Sequence, residues 1–179
     1  VNQLGSVGNP VIAVLDSGLD LTHPAFANRV WTNAKPGESG CPGDVNGCDT
    51  TKAKKGQFVT GDVTPFAGTM GQSCPGKPDG TEEEVDTFKN CSHGTHVAGI
   101  VAANFGSYPS ASGAVAEAVG GVCPVCQIMP IKIIAKGAKG KGGASDLAIL
   151  NGLKYITKFV NNQRSIVRVV DPTVELDRA

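Results

Sequence analysis

Residues 90–103 (NCSHGTHVAGIVAA) carry the strongest helix signal of the chain and constrain its fold more than any other segment. Apolar side chains recur in this segment at helical spacing, at Val97, Ile100 and Val101. The pattern predicts a buried helix of small side chains, with His93 near its start and Gly106 as its C-cap. Gly94 and Gly99 weaken helix propensity, so their presence indicates that other backbone approaches the helix closely.

A second constraint lies far upstream, where five apolar residues, 11–15, run directly into Asp16 and then into Ser-Gly. This pattern is typical of a buried strand that ends in a turn. In open α/β sheets, chemistry gathers beyond the carboxyl ends of the strands, where Asp16 is expected. An acid at a strand end and His93 at a helix start are two members of an acid–base–nucleophile relay.

The segments DSGLDLTHP (residues 16–24) and HGTHVAG (residues 93–99) resemble two long motifs of the subtilisin-like serine protease family, in the family's order. The resemblance implies a serine endopeptidase in which Asp16 is the orienting acid and His93 is the general base. It also implies that an extended peptide or protein substrate pairs as an added strand with the glycine-bearing segment 137–143. The substrate-binding residues expected there are Gly140, Gly142 and Gly143.

The resemblance further implies structural calcium, with Gln3 and Asn104 as candidate ligands, and no organic cofactor. It covers residues 11–27 and 91–104 most clearly and extends over 121–170. The resemblance also implies that the protein is secreted. Further partners implied by it are a propeptide or the second half of the peptidase domain.

The family's nucleophile motif, Gly-Thr-Ser-Met-Ala, does not occur in the chain, and neither does the stretch that carries the oxyanion-hole asparagine. Ser17 and Ser92 adjoin the relay residues, but each is expected to point away from its neighbour's side chain. In subtilisin itself, loss of the serine removes about a million-fold of rate. We therefore expect the 179-residue chain alone to be inactive. The alternative is a truncated, inactive subtilase-like module that binds peptides.

The amino-acid composition restricts the binding partners and the cellular compartment that can be expected for the protein. Sixteen basic and sixteen acidic residues balance, so nothing suggests nucleic acid or an anionic membrane surface as a partner. An even number of cysteines indicates disulfides and an oxidising, extracellular compartment, with the pairing left open among Cys41, Cys48, Cys74, Cys91, Cys123 and Cys126. Zinc binding is disfavoured because the single C-x-x-C motif at 123–126 has no partner motif.

The order of elements predicts an α/β fold. A second strand is expected over residues 127–134, a helix after the N-cap Ser145, and a third strand over 165–170. This alternation is typical of a parallel, doubly wound sheet, here incomplete. We assign residues 1–179 to the N-terminal part of a subtilisin-like peptidase domain, with 33–90 as a disulfide-stapled insertion, 105–121 as a loop, and 171–179 as a divergent tail.

Overall fold

A computed structural model of the protein describes residues 9–52, 54–65, 93–109, 115–136, 142–159 and 168–170. The strands are β1 (Val11–Asp16), β2 (Cys48–Asp49), β3 (Gly106–Pro109), β4 (Val115–Ala118), β5 (Gln127–Lys132), β6 (Ile134–Lys136), β7 (Gly142–Ala144) and β8 (Arg168–Val170). The helices are α1 (residues 93–102), α2 (Asp146–Thr157) and a 3₁₀ turn (Pro24–Phe26).

Strand β1 lies inside a four-stranded parallel sheet whose order is β2-β5-β1-β8. The chain leaves β1, returns through β5 on one side, and then reaches β8 on the other side after α2. The order therefore reverses at β1, and the crevice at such a switch point opens at the carboxyl ends of the strands. Asp16 is the last residue of β1, so it lies at this crevice. The predicted parallel, doubly wound sheet is confirmed.

Each face of the sheet is covered by one helix because successive side chains of a strand point to opposite faces. On one face, Val14 and Ile128 pack with Ala98 and Ala102 of α1. On the other face, the buried core contains residues from β1, β5 and α2, namely Ala13, Leu15, Met129, Ile131, Ala148, Tyr155 and Ile156. Ser145 caps α2, since its hydroxyl accepts a hydrogen bond from Ala148 N.

Pro130 lies within β5 although proline removes a ladder donor. Its carbonyl faces Gly47, where a Cβ would come within 1.9 Å of Pro130 O, and β2 begins only at Cys48. The N–H and C=O of one strand residue point toward the same neighbouring strand. On that side Pro130 lies opposite Gly47, which precedes β2, so no ladder hydrogen bond from position 130 is needed. The strand therefore tolerates its proline.

The end of α1 differs from the prediction. Gly106 starts β3 and does not cap α1. The carbonyls of Ile100 and Val101 in the last helical turn, and of Ala103 just after it, instead accept hydrogen bonds from the backbone N–H groups of residues 121–123, at 2.9 Å each. The predicted loop over 105–121 is also wrong, because β3 and β4 pair there as an antiparallel hairpin.

Strand β5 ends at Lys132, two residues before the predicted end. Ile133 N donates a hydrogen bond to Asp16 O, which is the last carbonyl of β1, so β1 offers no further acceptor to a longer β5. The chain then turns to pair β6 with β7. Of the third predicted strand, Arg168–Val170 forms β8, and residues 165–167 lie outside the described part.

Four cysteines form two disulfides, Cys41–Cys48 and Cys123–Cys126. Cys74 and Cys91 lie outside the described residues. The first disulfide links the loop before β2 to β2 itself, so the described part of the insertion contains a covalent staple. The prediction of disulfides is confirmed for these two pairs.

The same loop is organised around a buried carboxylate, Asp44, whose exposed fraction is 0%. Its Oδ2 accepts hydrogen bonds from Asn33 Nδ2 (2.9 Å), Ser39 Oγ (2.6 Å) and Tyr155 Oη (2.8 Å), and its Oδ1 accepts one from Gly37 N (2.5 Å). Four donors compensate for the cost of burying the charge. Because Tyr155 belongs to α2, this network fastens the insertion to the helix.

Replacement of Tyr155 by phenylalanine should lower the free energy of unfolding by about 1.5–3 kcal/mol, because a hydrogen bond to a buried charge is lost. Denaturant unfolding at pH 7 measures the change. Tyr108→Phe is the matched control, since the Tyr108 hydroxyl donates only to the neutral carbonyl of Asn104, at 3.1 Å. Equal losses in the two variants would contradict the role assigned to Asp44.

Stability should also fall in alkali because of Tyr155. Burial, followed by the hydrogen bond and the charge of Asp44, raises the pKa of the Tyr155 hydroxyl well above its ordinary value. Above pH of about 10 the unfolded chain loses this proton while the folded chain keeps it, so stability present below that pH is lost by up to about 1.4 kcal/mol per pH unit. Unfolding measured from pH 9 to 12 should show a shallower decline for Tyr155→Phe, and parallel curves would contradict the assignment.

Candidate active site

The first turn of α1 lies directly against the turn that follows β1. A Cβ on Gly94 would come within 2.2 Å of Gly18 O and 3.1 Å of Asp16 Cβ, so only glycine allows this approach. Gly18 itself has φ of +110°, a conformation that favours glycine. The two glycines therefore bring the helix start and the strand end into backbone contact.

This contact joins the two residues of the predicted relay. His93 Nδ1 lies 2.9 Å from both Oδ1 and Oδ2 of Asp16. The Asp16 carboxylate is 3% exposed, whereas the His93 side chain is 49% exposed. The acid is thus buried behind the imidazole, and the imidazole faces solvent.

Further hydrogen bonds fix the positions of both groups. Asp16 Oδ1 accepts a bond from Ser17 N at 2.6 Å, and Ser17 Oγ accepts one from Gly94 N at 3.0 Å. Thr95 Oγ1 accepts a bond from Asp20 N at 2.9 Å. The Ser17 hydroxyl acts as a cap for an N–H of the first turn of α1, although it lies 77 residues away in sequence. The start of α1 and the turn after β1 therefore each donate a backbone hydrogen bond to a side chain of the other.

The arrangement suits general base chemistry. Asp16 accepts the Nδ1 proton of His93, which sets the tautomer and leaves Nε2 as a proton acceptor. The buried carboxylate also stabilises the imidazolium that forms when Nε2 takes a proton. What the pair requires for catalysis is a nucleophile whose hydroxyl reaches Nε2.

The remaining predicted residues are distributed as follows. Gly142 and Gly143 lie in β7, which pairs with β6 in an antiparallel hairpin, and a Cβ on Gly143 would meet open space. Gly140 and Gln3 lie outside the described residues. Asn104 Oδ1 accepts a hydrogen bond from Arg29 Nε at 2.6 Å, and its Nδ2 donates to Ala27 O.

These contacts leave Asn104 poorly suited as a calcium ligand in this arrangement, since its oxygen already binds a guanidinium that would repel a second cation. Within the described ranges, no group of three or more His, Cys, Asp and Glu side chains is arranged to hold a metal ion. The same part of the chain contains no helix of the length and apolarity needed to cross a bilayer.

A cavity of about 700 Å³ lies on a different side of α1 and does not include Asp16 or His93 among its lining residues. Apolar side chains such as Phe26 and Ile100 form much of its wall, together with His23 and His96. His96 belongs to the same helix as His93 and is exposed, but it faces this cavity. The two histidines of the HGTH motif therefore occupy different environments.

Comparison with known protein families identifies the family to which the chain belongs. The Subtilase family of peptidases matches residues 8–169, which include both relay residues. The chain belongs to the subtilase family. Its membership makes the protein a serine-type peptidase at the level of the family. A comparison with curated proteins finds no match to the chain.

Local patterns in the sequence do not reveal the side chains that support the subtilase relay. Ser17 carries no signal beyond its place next to Asp16, and Thr95 carries none beyond its place in the motif. A further buried polar residue, Lys132, does carry a signal, since a lysine between Ile131 and Ile133 in an apolar strand is unusual. The partners of these side chains lie 68 to 77 residues away, so no local pattern could have paired them.

Replacing Gly94 by alanine should destabilise the protein by about 1–3 kcal/mol and separate His93 from Asp16, because the new Cβ would collide with the Gly18 carbonyl. Denaturant unfolding and the downfield NMR signal of the His93 Nδ1 proton report the two effects. Gly99→Ala is the control within the same helix, since its Cβ would lie 4.0 Å from Phe26 Cζ.

The control should be neutral or stabilising by up to about 1 kcal/mol, because alanine favours a helix more than glycine does. If Gly94→Ala behaved like Gly99→Ala, the close contact would not be needed to hold the relay together.

Proposed function

We propose that the 179 residues supply the acid and the base of a subtilisin-like serine endopeptidase, and that a serine outside them supplies the nucleophile. The single observation that carries the proposal is the hydrogen bond from solvent-facing His93 to buried Asp16 at the carboxyl end of β1. Membership of the subtilase family supports the same reaction class, hydrolysis of peptide bonds.

In the proposed reaction, His93 Nε2 removes the proton of the serine hydroxyl as the hydroxyl oxygen attacks the carbonyl carbon of the scissile peptide. Asp16 keeps the Nδ1 proton and stabilises the imidazolium. His93 then gives the proton to the leaving amine, and a water repeats the sequence to release the acyl group. Neither step requires a cofactor from this part of the chain.

Without its serine, the chain should bind but not hydrolyse a peptide. The hydroxyl of Ser17, the residue after the acid, accepts a hydrogen bond from Gly94 N and so serves to hold the start of α1. We therefore propose that the 179-residue chain alone is catalytically silent. On this view the relay is complete only when the remainder of a peptidase domain is present.

We further propose that the substrate pairs as an extended strand with the hairpin of β6 and β7. Within the described residues, this hairpin has two strands only, and Gly143 leaves open space beside the backbone. Such an edge suits addition of a peptide strand. Secretion is proposed on the basis of the two disulfides, which persist in oxidising compartments.

The test uses a fluorophosphonate probe, which reacts with activated serines, followed by measurement of intact mass. The proposal expects the natural protein, isolated at its native length, to be labelled at a mass well above 18.3 kDa, and the 179-residue chain to stay unlabelled. In the natural protein, His93→Ala should lower kcat by about 10⁶-fold and Asp16→Asn by about 10⁴-fold, the sizes found in subtilisin and in trypsin.

His96→Gln provides the matched control, because it changes the same residue type in the same helix without touching Asp16, and it should retain activity. A natural protein of 18.3 kDa that resists the probe would instead support a peptide-binding module. Peptide turnover by the 179-residue chain that His93→Ala abolished would contradict the need for an outside serine.

A further inference from the structure

Lys132 is a buried charge in the middle of the sheet and has no part in the relay described above. It is 4% exposed, although lysine is seldom fully buried unless it is paired. It ends β5, the strand that lies between β1 and β2. Its position therefore requires a physical explanation.

The register of the sheet aligns three charged residues across neighbouring strands. Lys132 is the Cα partner of Asp16 on β1 and of Asp49 on β2. Residues in register on parallel strands present their side chains on the same face. An acid, a cation and an acid thus form a row at the carboxyl ends of β2, β5 and β1, on the face that carries α1.

The ammonium group of Lys132 makes two contacts. It donates a hydrogen bond to Thr64 O at 2.8 Å and lies 3.8 Å from Asp49 Oδ2. The Asp49 side chain is 12% exposed and also accepts hydrogen bonds from Thr51 N and Thr51 Oγ1. The Lys132 charge is therefore paired, and it anchors the backbone at residue 64.

That backbone lies against the turn that follows Asp16. Val63 O accepts a hydrogen bond from Leu19 N at 2.9 Å, and a Cβ on Gly18 would come within 2.3 Å of Val63 O. Residues 63 and 64 thus pack against the same turn after β1 that the start of α1 also contacts. The Lys132–Thr64 hydrogen bond holds these two residues in place.

We propose that Lys132 is a positioning residue of the peptidase site, which holds the turn after β1 through residues 63 and 64 so that Asp16 faces His93 Nδ1. Asp49 neutralises the lysine, so Asp16 remains available to the imidazolium of His93. The inference rests on the proposed function for its effect on turnover, but its effect on the Asp16–His93 hydrogen bond does not depend on turnover.

Lys132→Met keeps the length of the side chain and removes both the charge and the donor. In the complete peptidase it should lower kcat about 10- to 100-fold and change KM less than about twofold, because a small misplacement of a catalytic group costs rate and not substrate binding. In the 179-residue chain, the downfield signal of the His93 Nδ1 proton should shift or broaden. Lys132→Arg should restore both, since arginine also donates to Thr64 O.

Two further variants separate positioning from folding. Lys35→Met removes an exposed lysine whose partner, Glu38, lies 3.4 Å away on the surface, and it should change neither readout. Lys132→Met combined with Asp49→Asn removes both charges of the buried pair, so it tests the loss of the Thr64 anchor without an unpaired buried acid. The double variant should still show the low kcat and the altered Nδ1 signal.

Recovery of kcat and of the Nδ1 signal in the double variant would overturn the proposal, because Lys132 would then only neutralise Asp49. An unchanged Nδ1 signal in a folded Lys132→Met chain would overturn it as well. If Asp16→Asn and His93→Ala left turnover intact, the proposed function would fail instead, and the NMR measurement would still decide whether Lys132 positions Asp16.

Discussion

The backbone contact between the first turn of α1 and the turn after β1 is the constraint on which the site depends. Gly94 and Gly18 allow the two segments to approach closely, and the His93–Asp16 hydrogen bond spans the junction. Ser17 and Thr95 then fasten the segments in both directions. Most of these groups are backbone or short side chains, so the geometry of the relay is set by rigid elements rather than by flexible side chains.

A buried carboxylate anchors each of the two helices. Asp16 binds His93 of α1, and Asp44 binds Tyr155 of α2. The two sites differ in what faces solvent. Asp44 is enclosed with its three side-chain partners and stabilises the fold, whereas Asp16 has a half-exposed partner that can exchange a proton with a reactant. The difference in exposure of the partner distinguishes the structural carboxylate from the one proposed to act in catalysis.

The sequence allowed the proximity of Asp16 and His93 and the parallel sheet to be predicted, because both predictions rest on patterns within short segments. The apolar run before Asp16 and the helical spacing after His93 are visible within short windows, and both segments belong to long motifs. The end of α1 could not be predicted, because its carbonyls are satisfied by residues 121–123 and not by a local cap. The Asp44–Tyr155 hydrogen bond spans 111 residues, and the Lys132–Thr64 bond spans 68, so only tertiary structure could reveal them.

The hydrogen bond from Gly121 N to Ala103 O closes the base of the β3–β4 hairpin. The paired strands β3 and β4 therefore begin and end near the same point, while residues 121–123, which lead into β5, stay bonded to the end of α1. The entropy of closing such a loop grows slowly with its length. Chain added between β3 and β4 would therefore cost little in closure entropy and would leave the bonds of residues 121–123 to the end of α1 intact, so this connection can lengthen while His93 keeps its place.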